Sequence, residues 1–116
     1  MQKIFSIQPY LNDVEILRQT AEQIKKELEV FQIEIILVGN QQNAYEELFQ
    51  QILPQIKLLL KDNYQKLVSM LYRIDISELQ LKKESQKDFD KTFEEVITHL
   101  IIKRCLQKVV LRKLFS

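Results

Sequence analysis

The sequence predicts an all-α fold, a bundle of four to five helices with a long C-terminal helix, and three observations carry that prediction. One glycine and two prolines in 116 residues are too few for a protein of many short strands, because tight turns need residues that accept positive φ or a preset one. Apolar residues recur at helical rather than alternating spacing along most of the chain. Side chains able to cap a helix stand just before several of these periodic runs. With 46% apolar and 28% charged residues the chain has the balance of a folded globular protein, and its length suits one domain over residues 1–116.

After Pro9, Asn12 with Glu15 three residues later has the spacing of a capping box, in which each side chain satisfies a backbone N–H. Val14, Leu17, Ala21, Ile24, Leu28, Phe31, Ile35 and Val38 follow in 3,4 spacing and form one stripe of a first helix. Residues 33–38 are rich in β-branched side chains, so they read either as the end of that helix or as a buried extended segment. A strand there would need a partner, and no second run of comparable strength exists. Gly39 and Asn40 tolerate the left-handed conformation that closes helices.

Asn43 with Glu46 repeats the capping-box spacing. Tyr45, Leu48, Phe49, Ile52, Leu53, Ile56, Leu59 and Leu60 make a second helix, in which Pro54 is expected to cause a kink or break because it cannot donate to the Gln50 carbonyl. Asp62 and Asn63 signal another cap, before a third helix through Tyr64, Leu67, Val68, Leu71 and Tyr72 to about Ile74. Ser77 with Gln80 starts a fourth, so "MLYRIDISELQ" reads as a joint between helices with Asp75 in the connection. Arg73 and Asp75 could instead belong to a buried ion pair or ligand-binding pair, the lesser reading of two such common residues. "KKESQKDFDK", Lys82 to Lys91, reads as a solvated loop or fraying turn. The last helix is expected to start near Asp88 or Asp90, with acids at its start and bases at its end, both favourable to the helix dipole.

The chemistry of catalysis is sparse. His99 is the only histidine, which excludes a His-rich metal site within one chain. Cys105 is the only cysteine and lies about 240° from His99 around a helix, so the two do not make a nucleophilic pair. A single glycine leaves no phosphate-cradling loop. Glu46 with Glu47 and Glu94 with Glu95 are adjacent and diverge, while Val96 stands where a Glu-x-x-His metal motif would need its carboxylate. No enzyme, no cofactor and no metal is expected. Without a paired cysteine or a leader-like start the expected location is the cytoplasm. The longest apolar runs, "IEIILV" and "HLII", fall well short of the roughly 20 residues that span a bilayer, so no membrane role is expected.

Function therefore has to be sought in the last helix. All 16 acidic residues precede Leu100, where 12 Lys or Arg stand with them; the final stretch carries Lys103, Arg104, Lys108, Arg112 and Lys113 and no acid. On a wheel with Val96 at zero, Ile97, Leu100 and Ile101 fall at about 40–140° and Ile102, Cys105, Leu106, Val109 and Val110 at about 180–320°. Leu111, Leu114 and Phe115 return to about 0–100°. A helix apolar on several sides must be covered on several sides, by its own bundle and by a second copy or another protein. Ile102, Leu106, Val109 and Val110 are the candidate interface residues. Arg104, Lys108 and Arg112 form a basic stripe about 12 Å long, a candidate anion-binding set for nucleic acid or another polyanion. The expected function is non-catalytic protein interaction or regulation with self-association as a homodimer; polyanion binding through the stripe is the alternative. The joint at Ser77 lacks the glycine often found in a DNA-reading helix-turn-helix.

"LYRIDISE" (Leu71 to Glu78) and "IIKRCLQKVV" (Ile101 to Val110) resemble segments of small helical bacterial proteins to which no activity is assigned. The resemblance implies a bacterial, soluble, mostly helical protein and brings no cofactor or catalytic residue with it.

Overall fold

The computed structural model describes residues 8–10, 13–36, 43–87 and 90–115. A 3-10 turn at Gln8–Tyr10 precedes five helices: α1 (Val14–Glu29), α2 (Ala44–Asp62), α3 (Tyr64–Ile74), α4 (Glu78–Lys87) and α5 (Phe93–Phe115). No strand occurs among the described residues, and the expected all-α bundle with a long final helix is what forms.

The helix starts follow side-chain chemistry, at positions partly different from those expected. Asp13, not Asn12, caps α1: its Oδ1 accepts from the Ile16 N–H at 3.1 Å. Asn12 lies outside the described residues, and Glu15 is turned to Arg18 and Gln19 instead. Asn43 occupies the N-cap of α2 without a side-chain capping hydrogen bond, and Glu46 accepts from Gln50. Asn63 and Ser77 do cap α3 and α4, accepting from the N–H groups of Lys66 and Gln80 at 3.1 Å. A complete reciprocal box stands at α5, where Thr92 Oγ1 accepts from the Glu95 N–H and Glu95 Oε1 accepts from the Thr92 N–H. That box starts α5 at Phe93 rather than at Asp88 or Asp90, because it satisfies two otherwise orphaned donors at once. Lys82–Lys87 belong to α4 and not to a loop. Pro54 does not break α2, which runs continuously through it.

Two helices stop the same way without glycine. Gln32 and Asp75 take φ of 61° and 74°, and the next residue's N–H reaches five residues back: Ile33 to the Leu28 carbonyl at 3.2 Å and Ile76 to that of Leu71 at 2.9 Å. This is the six-to-one bond of a Schellman ending, which normally places glycine in the left-handed position. Burial of the isoleucine that follows each turn, at 5% exposure in both cases, offsets the strain.

Residues 33–36, which read either as helix end or as buried extended segment, therefore lie outside the first helix, which stops at Glu29. Ile33–Ile36 form no regular element, with Ile33 and Ile35 buried and Ile36 outward; Leu37, Val38, Gly39 and Asn40 lie outside the described residues. The pairing partner of Ile36 is a side chain: the Gln51 amide of α2 donates to the Ile36 carbonyl and accepts from the Ile36 N–H at 2.8 Å. One glutamine thus supplies the two bonds a neighbouring strand would have made.

α5 sits at the centre and packs on each of the other four helices, most extensively on α1 and α2. The main core joins Ile24 and Leu28 of α1, Leu48, Ile52 and Ile56 of α2, Met70 and Ile74 of α3, Leu81 of α4, and Ile97, Ile101 and Ile102 of α5. A second cluster unites Ile16 and Leu17, Ala44, and Leu106, Val109 and Val110, with Tyr10 of the 3-10 turn against it. Ile102, Leu106 and Val109 are fully buried and Val110 nearly so. The apolar faces expected to be left for a second copy are closed by the chain's own α1, α2 and N-terminal turn.

Candidate functional site

The C-terminal half of α5 carries charge and apolar surface together. Along α1 and α5, Glu27 faces Lys108 and Gln23 faces Arg112, so the helices run antiparallel in step. Glu27 is the hub. Its carboxylate, 11% exposed, takes Lys108 Nζ at 3.0 Å, Arg73 Nε at 3.2 Å and the Gln23 amide at 2.8 Å. Burial pushes its pKa up, but the Lys108 hydrogen bond and charge, helped by Gln23 and Arg73, outweigh it and hold the group below the usual carboxylate range.

Asp75 approaches the same cations from the joint between α3 and α4. Its Oδ2 lies 3.8 Å from both Arg104 and Lys108 while its side chain is 64% exposed. The two members of the Arg73/Asp75 pair do join ion pairs, though not with each other: Arg73 turns to Glu27 and Asp75 to α5. Arg112 donates to the neutral Gln23 amide oxygen at 2.9 Å, and among the described residues no carboxylate lies within ion-pair distance of it.

Beside this cluster Arg104, Lys108, Leu111, Arg112 and Phe115 line an open groove of about 520 Å³. Exposure climbs along the last turns, from 2% at Val110 to 41% at Leu111, 63% at Leu114 and 82% at Phe115. The cause is the side of the helix they occupy. Lys108 and Arg112 face Glu27 and Gln23, so α1 continues beside the last turns of α5 and Lys113 lies within electrostatic reach of Glu15; Leu111, Leu114 and Phe115 fall at about 0–100° on the wheel, off the side where Leu106 and Val109 pack on Ile16 and Leu17.

The structure thus brings Arg104, Lys108 and Arg112 to one groove and separates them from Ile102, Leu106, Val109 and Val110, which lie inside. Glu27 and Asp75 were missed as partners of the stripe. The sign was present in Glu27, which follows Ile24 and precedes Leu28 on the apolar side of the first helix and so needed a cation opposite it.

The other reactive side chains are occupied. His99 Nδ1 lies 2.5 Å from the Tyr45 hydroxyl, both half-buried, with the Phe49 ring tilted against that of Tyr45. Burial lowers the His99 pKa, reinforced by Lys103 and Lys91 and opposed by Glu84; burial and Glu46 raise Tyr45 to about 12. A neutral imidazole hydrogen-bonded to a protonated phenol follows, with the donor set by which ring nitrogen carries the proton. Cys105 is fully buried, its thiol pushed up to about 12 by that burial, which removes the thiolate needed for nucleophilic chemistry. No group of three metal-binding side chains converges among the described residues, and no helix there is long and apolar enough to cross a membrane.

Compared with protein-family models, with curated proteins and with solved structures, the chain matches none of them.

Proposed function

We propose that this chain is a non-catalytic protein-interaction domain that docks a second copy or another protein at the exposed face of the last turns of α5. One observation carries the reading: Leu111, Leu114 and Phe115 stand exposed in succession beside Arg112 on a helix whose preceding turns are sealed. Successive large apolar side chains in water disfavour solubility, and contact with another chain removes that cost. The basic stripe supports the polyanion alternative less well, because Lys108 and Arg104 already face the carboxylates of Glu27 and Asp75.

Self-association at this surface brings like charges together, so it should strengthen as salt screens them. Light scattering on a sizing column, across protein concentration and ionic strength, is expected to show mass rising with both, and Phe115→Asp with Leu114→Asp to abolish the rise. A monomeric mass under every condition removes self-association from the reading. Added mixed-sequence nucleic acid that shifts the mass only at low salt, with neutralisation of Arg104, Lys108 and Arg112 erasing the shift, would favour polyanion binding instead.

A further inference from the structure

We propose that the groove at the end of α5 accepts an acidic protein segment bearing a large apolar side chain, whose carboxylates replace Asp75 beside Arg104 and Lys108 and engage Arg112. The inference rests on the protein-interaction reading and names the chemistry of the partner.

Charge complementarity decides the partner. Three cations and two apolar side chains line the groove, and the carboxylates already present differ in how firmly they hold. Glu27 is buried, accepts hydrogen bonds from Lys108 and Gln23 and forms an ion pair with Arg73, so it stays. Asp75 lies at 3.8 Å from both its cations, beyond hydrogen-bond reach, and is largely in water. An incoming carboxylate that makes a direct charge-assisted bond outcompetes it. Arg112 offers a guanidinium whose described hydrogen-bond partner is a neutral amide, a bidentate match for one more carboxylate. Leu111 and Phe115 leave room between them and the cations for an apolar side chain. A row of phosphates fits less well. Glu27 is fixed within the stripe, and Asp75 would stay opposed to any backbone that could not settle into the groove.

The test is fluorescence anisotropy of the full chain with a labelled synthetic peptide of aspartates and glutamates around one leucine and one phenylalanine. Binding that weakens with salt is expected, the opposite salt dependence to self-association. Arg112→Gln should weaken it about tenfold, the effect of losing one charge-assisted contact. Phe115→Ser should weaken it by a similar factor, and a peptide with both apolar residues replaced by serine should bind as poorly. Asp75→Asn should tighten binding about threefold by removing the competitor, since asparagine tolerates the left-handed backbone at this position. These side chains are exposed, so circular dichroism and the urea midpoint should stay close to those of the unaltered chain. Indifference of peptide binding to Arg112→Gln and Phe115→Ser overturns the proposal, as does a mixed-sequence single-stranded oligonucleotide that binds more tightly than the peptide. Salt-strengthened self-association without peptide binding overturns the acidic partner and leaves the interaction reading standing; absence of both removes both.

Discussion

The two ends of α5 are one continuous helix in opposite surroundings. From Val96 to Val110 every large apolar side chain is buried, on faces pointing in several directions; from Leu111 to Phe115 every side chain is exposed. Residue type changes little between them, since leucine and phenylalanine follow valine and isoleucine. What changes is which faces of the helix are covered, since α1 still runs beside the last turns but on the other side. An apolar side chain therefore reports a core only where another element lies against its own face.

Breaking the sealed end should cost most. Ile101→Ala removes fully buried volume where α5 is surrounded and is expected to lower unfolding free energy by about 2–5 kcal/mol, read from urea denaturation. Next comes the junction between the two ends. Glu27→Gln leaves Arg73 without its anionic partner and Lys108 with only the longer contact to Asp75, and should cost about 1–3 kcal/mol, moderated because both cations retain some water. Because the folded-state pKa of Glu27 lies below its unfolded value, its contribution is complete above the ordinary carboxylate pKa and lost as pH falls through the depressed one. The variant's stability should accordingly fall less steeply over that acidic range.

A smaller effect is expected at the Tyr45–His99 contact. The folded pKa of His99 is depressed, so its contribution is present above the unfolded value near 6.5 and is lost as pH drops from there through the folded value. Urea midpoints measured from neutral pH downward should decline in that window, and His99→Gln should flatten the decline. Smallest of all, Phe115→Ala should move stability by no more than about 0.5 kcal/mol. A larger loss would show that the exposed last turn is part of the folded core.

Much of this architecture was legible in the residues because helical periodicity is local. The stripe from Val14 to Leu28, the cap at Asn63 and the joint at Ser77 all follow from side chains within a few positions of one another. The end of α1 was not legible, because the periodic run continues through Phe31 and Ile35; the helix stops where Gln32 takes positive φ so that Ile33 can turn inward. Neighbouring residues of similar capping chemistry also hid the caps that form at Asp13 and Thr92. At the candidate site the basic stripe was visible, but its carboxylate partners come from α1 and from the joint, and no spacing rule connects residues so far apart. Sequence periodicity marked Leu106 and Val109 as apolar without saying whether helix or solvent lay opposite them.

The central place of α5 has a consequence for synthesis. Chains are made from the N-terminus, so the inner faces of α1 to α4 must wait, unmatched, for the helix that fills the space between them. Until then Ile24, Leu48, Ile52 and Met70 have only partial cover, and the nascent chain is a substrate for chaperones and proteases. Ribosome-bound chains arrested before Phe93 emerges should be cleaved readily by added protease, whereas chains with Val110 clear of the tunnel should resist it.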